Sequence, residues 1–437
     1  MRVLLLGHGS REHCMAEALK RNPETWLYSV MAHLNPGIKK LSEEFRLMKL
    51  SNFDELHLFA EQVKPDFAVI GPEAPLADGV VDYFGPMGIP SFGPTQELAK
   101  LETSKAFSRL LMKKYGIPGL PEFKVFTSLE GVQEYLEALG DFVIKPDGLT
   151  GGKGVKVFGE HLKDASDGLN YCREVLKTHP TVIVEEKLEG EEFSLQSIAD
   201  GKTVLDTPPA QDHKRAFEND SGANTGGMGS YSCENHLLPF VTEEDVKQAH
   251  GITEKVMHAL SRECGKPFVG VMYGGFMVTA KGLRLLEYNA RFGDPETMNV
   301  LPIMENDFTE VVQAAIEQRL DEINLRFLEK ATVCKYVVPA GYPNNPSVGE
   351  RIEVDERGLA RSGAHVYFGS VNEKDGGVYT TSSRAIAVLG IGEDLSDAER
   401  RAQAGVERIS GKVFYRKDIG TSALVQKRID HINSLKK

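Results

Sequence analysis

The amino-acid sequence predicts a multidomain protein of α/β and α+β class, with an N-terminal open parallel-sheet domain, a central body carrying a small mobile lid, and a small C-terminal α+β domain. Three features of the chain lead there. Its 437 residues exceed one ordinary hydrophobic core and suggest roughly two to four domains. In roughly the first hundred residues, short apolar runs end at glycine turns and feed helical stretches, the alternation of a parallel sheet. Beyond residue 123 the pattern changes to short strands around glycine-rich turns, then to longer strands interleaved with helices.

Val3 to Leu6 is wholly apolar and ends at Gly7-His8-Gly9, before the helix-like stretch Arg11 to Lys20. Phe67 to Ile70, ending at Gly71-Pro72-Glu73, repeats the pattern, and Ile89 to Pro94 reads as another strand end before a helix over 95–115. Residues 1–101 are therefore expected to form a Rossmann-like α/β domain. A central domain is expected over 102–328. Within it, Phe142 to Lys145, Gly154 to Phe158 and Val182 to Glu186, with a helix near 164–177, predict a lid spanning about 123–193. Strands over 194–210 and 269–289 and helices near 243–264 and 308–319 fill out the body. Runs over 331–338, 365–371 and 384–390, with a final helix over 397–409, predict a third domain at 329–437. No tandem repeat or low-complexity tract interrupts the chain.

The balance of 51 Lys plus Arg against 63 Asp plus Glu, a net charge of -12, argues against nucleic acid or an anionic membrane as partner. An anionic substrate must then meet a local basic pocket. The five cysteines, at 14, 172, 233, 264 and 334, form no Cys-x-x-Cys pair and read as reduced thiols. Met1 to Leu6 is shorter than a signal-peptide core, and no run approaches the ~20 apolar residues of a membrane span. A soluble, cytoplasmic protein is expected.

The chemistry concentrates at Glu287-Tyr288-Asn289-Ala290-Arg291-Phe292-Gly293-Asp294-Pro295-Glu296, after the apolar run at Leu283 to Leu286. If that strand continues through residue 291, its two-residue period puts Glu287, Asn289 and Arg291 on one face. A carboxylate and an amide oxygen side by side suit Mg²⁺, which completes its shell with phosphates and water. Gly7-His8-Gly9-Ser10-Arg11-Glu12 superficially matches a dinucleotide fingerprint, but Glu12 stands at the third glycine position, so close packing over a pyrophosphate is not supported. Its turn amides, the Ser10 hydroxyl and Arg11 suit a phosphate monoester instead, or form only a structural turn. Glu73, at a strand end, is placed to accept sugar hydroxyls. Lys145, followed by Gly151-Gly152-Lys153-Gly154, offers amides and a second lysine to phosphates, although it is no Walker sequence. The acidic run after Val184 offers backbone groups to a purine edge and carboxylates to ribose. Asp212-His213-Lys214-Arg215 and Asn224-Thr225-Gly226-Gly227-Met228-Gly229 flank a polar loop suited to a carboxylate or phosphate. No serine or cysteine lies in a nucleophile signature, so covalent catalysis is not expected.

Taken in order, these motifs, with Thr103-Ser104-Lys105 and Phe414 to Gly420, resemble the phosphoribosylamine-glycine ligase (glycinamide ribonucleotide synthetase) family of the ATP-grasp superfamily. The resemblance runs nearly end to end and implies that 102–328 is an ATP-grasp domain acting in purine biosynthesis. It implies ATP between lid and body, with Lys105 and Lys145 on phosphates, the 151–154 loop over them, and Glu185, Glu186, Leu188 and Glu192 serving the nucleotide. Glu287 and Asn289 would hold Mg²⁺ or Mn²⁺. Lys214, Arg215, Arg291 and Asp294 would position glycine and the developing acyl phosphate. Gly9, Ser10, Arg11 and Glu73 would face 5-phosphoribosylamine, with Asp212, Asn224, Thr225, Gly226, Gly227 and Glu296 also on substrate. A monomer or weak homodimer is expected. Ser10 departs from the glycine expected in relatives, and Gly275 leaves a third protein ligand to the metal unassured.

The implied reaction activates the glycine carboxylate as glycyl phosphate and passes the acyl group to the amine, with ADP and phosphate released. Other ATP-grasp ligases or carboxylases, a nucleotide-sensing module without chemistry, and a dehydrogenase resting on the N-terminal glycines are the competing readings.

Overall fold

The computed structural model describes residues 1–149 and 154–437. Gly151, Gly152 and Lys153, expected over the phosphates, lie outside the described residues.

Five parallel strands form the N-terminal sheet, in the spatial order Glu44–Leu47, Trp26–Met31, Arg2–Leu6, Phe67–Ile70 and Ser91–Phe92. Val3 and Leu5 pack with Met15 and Leu19 of the helix Ser10–Lys20, whereas Leu4 and Leu6 pack with Leu56 and Phe59 of the helix Phe53–Val63. Both faces are covered, which is why the run is continuously apolar instead of alternating. Strand order reverses between Arg2–Leu6 and Phe67–Ile70, so the crevice beyond their carboxyl ends falls at Gly7 to Gly9 and Gly71 to Glu73.

The helix expected over 95–115 is broken. Ser104 is extended (φ −138°, ψ 105°) and its side chain accepts from the Phe107 amide, splitting Lys100–Thr103 from Lys105–Lys114. This N-cap sets Lys105 at the first helical position.

Next comes a small antiparallel sheet in the order Phe123–Phe126, Val182–Glu186, Phe142–Pro146 and Lys156–Val157. The strand expected over 154–158 narrows to its last-named pair. Val132, Leu136, Cys172 and Val175, from two helices, join Phe126, Phe142, Ile144, Val182 and Val184 in a separate core. A core of its own makes this segment a distinct packing unit.

The body sheet is antiparallel, ordered Val204–Asp206, Gly190–Ala199, Gly270–Thr279 and Gly282–Asn289. Its helix Glu243–Cys264 starts from a reciprocal Thr242–Asp245 capping box and ends at Gly265. The segment between these strands leaves the body: Gln211–Asp212 and Gly229–Ser232 join the C-terminal sheet, whose path continues through Ala331–Pro339, Ile386–Gly392 and Ala364–Phe368. The C-terminal module, which the sequence suggests is a separate unit, therefore holds both ends of the Asp212 to Gly229 loop.

One hydrophobic core runs through the N-terminal sheet, the body and the C-terminal sheet. At one junction Phe92, Phe292 and Phe308 meet with ring centroids 5.9–6.5 Å apart, and Phe292 is next to Arg291. Phe292→Ala is expected to lower unfolding free energy by about 3–5 kcal/mol, read as a lower urea midpoint. An unchanged midpoint would show that the junction carries no weight.

Candidate active site

The strand Gly282–Asn289 carries a β-bulge. Gly275 opposes Glu287 and Phe276 opposes Leu285, so Leu286 is surplus. The Leu286 carbonyl, freed from the ladder, accepts from Arg109 Nη2 at 2.6 Å and Lys145 Nζ at 3.3 Å. Strict alternation would carry Glu287 onto the core face with buried Leu283 and Leu285. The bulge reverses the phase: Tyr288 and Ala290 turn inward and are buried, and Glu287 and Asn289 turn out. The strand stops at Asn289, short of the expected residue 291, because the Ala290 amide donates to Glu102 Oε2 at 2.8 Å instead of to a neighbouring strand. Arg291 reaches the cleft from the following bend, where its guanidinium lies 3.0 Å from Glu102 Oε1 and 3.5 Å from Glu73 Oε2.

Among the described residues, Glu287 and Asn289 make no side-chain hydrogen bond, and Glu287 has no ion-pair partner within 4.0 Å. Burial pushes the Glu287 carboxyl up, but Lys214, Lys145, Lys105 and Arg291 together hold it below the usual carboxylate range. An anionic carboxylate beside a neutral amide oxygen thus faces cations from four separate segments. No group of three or more His, Cys, Asp or Glu side chains able to hold a metal occurs among the described residues. The pair is a partial shell of the kind that phosphate oxygens complete.

The cations are themselves held. Lys105 Nζ donates to the Gly148 carbonyl at 2.9 Å, and burial pulls its pKa down. Lys145 lies 2.7 Å from Glu185. Glu185, only 3% exposed, also receives both arms of Arg109 at 2.6 and 3.2 Å. Burial pushes Glu185 up, yet Arg109 and Lys145 bring it to about 2. Both Glu185 oxygens therefore face cations in this arrangement. Glu186 accepts from the Glu122 amide at 2.8 Å. Leu188 lies on the link between the lid strand Val182–Glu186 and the body strand Gly190–Ala199, while exposed Glu192 lies 3.4 Å from Lys214. Glu192, followed by Glu287, Asp212 and Glu296, raises the pKa of exposed Lys214. Gly154 is fixed through its carbonyl, which accepts from the Tyr171 hydroxyl at 2.7 Å.

At the N-terminal crevice, Gly7 has φ +130°, and Cβ atoms at Gly7 and Gly71 would fall inside the Glu12 side chain. Glu12 Oε2 accepts from the Gly9 amide at 2.6 Å, and its other oxygen binds Arg11 Nε at 2.6 Å. A carboxylate occupies the space under the glycine loop, so a dinucleotide pyrophosphate has no seat there and the dehydrogenase reading falls. Arg11, buried, also donates to the Phe292 carbonyl and lies 4.0 Å from Glu73. Burial works against ionised Glu73, but Arg291 and Arg11 hold it at about 2. The Ser10 hydroxyl, expected near a phosphate, donates to the Tyr367 carbonyl at 3.0 Å and is buried against the C-terminal sheet.

Family models for the N domain, the ATP-grasp (A) domain and the C domain of phosphoribosylglycinamide synthetase match residues 1–102, 103–297 and 332–422. The chain belongs to the phosphoribosylglycinamide synthetase family. It is 49% identical over 445 residues to the phosphoribosylamine–glycine ligase of Methanocaldococcus jannaschii, with 100% of both chains covered. The crystal structure of phosphoribosylamine–glycine ligase from Thermotoga maritima superposes with a TM-score of 0.80 at 28% identity, covering 96% of this chain and 100% of that one. The biotin carboxylase domain of Hydrogenobacter thermophilus 2-oxoglutarate carboxylase, in complex with MgADP, ADP and bicarbonate, shares the fold at 17% identity and a TM-score of 0.70, over 99% of this chain and 93% of that one.

Other motif residues of the synthetase family resemblance divide into open and engaged groups. Arg215, expected on glycine, is directed to Gly222 and to Glu160 of the lid. Asp294 is likewise engaged: one oxygen accepts from the Tyr336 hydroxyl and the other lies 3.1 Å from Arg384. Asp212 accepts from the His213 amide at 2.7 Å, and burial, with Glu296 adding, pushes its carboxyl well above the usual range. Glu296 accepts from the Tyr273 hydroxyl at 2.7 Å. Thr225 folds its loop by donating to the Lys214 carbonyl and accepting from the Gly227 amide, and Gly226 approaches the Tyr342 hydroxyl at 3.4 Å. Asn224 pairs with Arg215 in the hairpin preceding that loop. Buried His213 is held by burial at about 3.

Sequence reasoning missed Glu102, Arg109, Tyr336 and Arg384. Arg109 stands four residues after Lys105, one helical turn on, which was a usable signal; Glu102 and Arg384 find partners too distant in the chain to announce themselves.

Glu185→Gln is expected to cost about 3–5 kcal/mol by leaving Arg109 and Lys145 short of a buried counter-charge. The wild-type pair contributes fully above the ordinary glutamate value of 4.5 and is lost as pH falls toward the folded value of about 2. Urea midpoints measured across that window should fall less steeply with acid in the variant; parallel curves would refute the assignment.

Proposed function

We propose that this chain is an ATP-dependent ligase that joins glycine to 5-phosphoribosylamine, giving glycinamide ribonucleotide, ADP and phosphate in purine biosynthesis. The observation that carries the reading is the Glu287 carboxylate beside Asn289, without an ion-pair partner among the described residues and surrounded by the charges of Lys214, Lys145, Lys105 and Arg291. Such a ring matches a polyanion with an associated cation and matches neither alone.

Mg²⁺ or Mn²⁺ fits the donor set, since Glu287 and Asn289 are hard oxygen ligands on one strand face; they would hold it, and it would supply charge neutralisation on the phosphates. Lys105 and Lys145 bind the triphosphate of ATP, leaving its γ-phosphate open to a glycine carboxylate oxygen held near Lys214 and Arg291. Attack forms glycyl phosphate and releases ADP. The amine of phosphoribosylamine, oriented from the Gly9, Arg11 and Glu73 crevice, then attacks the acyl carbon and expels phosphate. Glu73 remains ionised at neutral pH and accepts ribose hydroxyls. Catalysis here is mostly positioning and charge stabilisation, because a poor acylating agent is converted to a mixed anhydride within reach of its acceptor. Lid closure over the site keeps water from the anhydride.

No helix among the described residues is long and apolar enough to cross a membrane. The reading carries a cytoplasmic location and a monomer or weak homodimer.

The deciding experiment measures ADP release dependent on both glycine and phosphoribosylamine, with mass detection of the amide. A panel of other amino acids, amines and bicarbonate separates this activity from related ligases and carboxylases. Glu287→Gln and Arg291→Lys are each expected to lower kcat by about 10²-fold or more with wild-type circular dichroism. Wild-type turnover in either variant would overturn the metal-holding role of Glu287 or the carboxylate-positioning role of Arg291.

A further inference from the structure

Arg384, in the turn between the strands Gly377–Thr380 and Ile386–Gly392 of the C-terminal domain, has no part in the chemistry above and occurs in none of the motifs. Its guanidinium nevertheless reaches two loops of the cleft at once. Nη1 lies 2.7 Å from the Gly226 carbonyl, 3.0 Å from that of Gly227 and 2.8 Å from that of Asp294. Nη2 lies 3.1 Å from Asp294 Oδ2, and the guanidinium carbon sits 4.5 Å from the centroid of the Tyr336 ring. The Tyr336 hydroxyl closes the arrangement by donating to the other Asp294 oxygen.

The loop beneath Arg384 is shaped around it. A Cβ at Gly226 would lie 3.2 Å from the guanidinium carbon; on the far side, Gly227, at φ +113°, would place a Cβ 2.6 Å from Asp212 Oδ1 and 2.7 Å from Pro295 Cδ. Two glycines thus allow the loop to lie between Arg384 and the Asp212 carboxyl. The same loop is tied to Lys214 through Thr225, and Asp294 lies three residues after Arg291. A Cβ at Gly9 would be 3.9 Å from Asp294 Oδ2, so the arrangement also borders the N-terminal crevice.

The geometry points to Arg384 as a positioning residue that fixes the Thr225–Met228 loop against the Arg291–Glu296 loop, and thereby sets where Lys214 and Arg291 present their charges to the glycine carboxylate. The fork is specific to arginine: a lysine supplies one point charge and cannot bridge several carbonyls, pair with a carboxylate and lie on a ring together. The nucleotide cations Lys105 and Lys145 have other supports, Gly148 and Glu185. Loss of Arg384 is therefore a loss on the glycine side of the reaction.

The kinetic test rests on the ligase reading, while hydrogen exchange tests the positioning without substrate. Arg384→Lys and Arg384→Met are expected to lower kcat/KM for glycine by about 10²-fold, as for a misplacement near 1 Å, with the Kd for Mg-ATP within about threefold of wild type. Added guanidinium should restore at least about tenfold activity to Arg384→Ala and none to wild type. Amides at 226–228 and 293–297 should exchange faster in Arg384→Lys, with lid amides unchanged. Unaltered exchange in both loops overturns the proposal whatever the kinetics. Equal losses of ATP and glycine affinity without guanidinium rescue do the same, since a merely structural role predicts them. Absence of glycine-dependent ADP release in wild type would count against the ligase reading and leaves the exchange result to decide on Arg384.

Discussion

One surplus residue in one strand turns the cleft toward its ligands. Leu286 interrupts the pairing of Gly282–Asn289 with Gly270–Thr279, and its unladdered carbonyl is caught by Arg109 and Lys145. The backbone irregularity and the cations that exploit it are mutually supporting: the bulge supplies an acceptor, and the two donors keep that acceptor from being buried without a partner. Reversal of side-chain phase follows directly, taking Glu287 and Asn289 off the core face. The electrostatic surroundings of Glu287 begin from that reversal.

The charges fall into two populations. Glu185, Glu102 and Asp294 are engaged by Arg109 with Lys145, by Arg291, and by Arg384 respectively. These pairs hold cations at defined places, so the entropy and reorganisation of long side chains are settled before a substrate arrives. Glu287 is different, because among the described residues it sits amid cations without pairing with one. Its environment favours the charged form while leaving its lone pairs open. Preorganised cations with one open carboxylate form a site suited to a bound polyanion.

Local chemistry was legible in the sequence, and long-range allegiance was not. Glu287 beside Asn289 could be read because two-residue alternation holds within a strand, and the apolar run Val3 to Leu6 could be read because it is buried on both faces. The phase of Glu287 relative to Leu283 could not, since a bulge leaves no composition mark. Ser10, Glu185, Arg215 and Asp294 are motif residues whose side chains turn to partners elsewhere: Tyr367, Arg109, Glu160 and Arg384. Motif matching finds such positions but does not say which neighbour each satisfies. Arg384 was invisible for the converse reason, since Gly226 is 158 residues away in the chain and no periodicity connects them. The three-domain outline was readable from changes in pattern, but the capture of Gln211–Asp212 and Gly229–Ser232 by the C-terminal sheet was not, because short polar strands carry little amphipathic signal.

That capture bears on synthesis. A chain emerging from the ribosome can complete its N-terminal sheet early, since the strands from Arg2–Leu6 to Ser91–Phe92 lie close in sequence. The strand Gly229–Ser232 has to wait for Ala331–Pro339, with Ser232 and Thr332 100 residues apart. Until that stretch is translated, the loop bearing Lys214 and Thr225 has an open strand edge beside it, a template for wrong pairing. The nascent protein therefore passes through a period in which its N-terminal crevice is built while the loop bearing Lys214 and Thr225 still lacks the strand that anchors it.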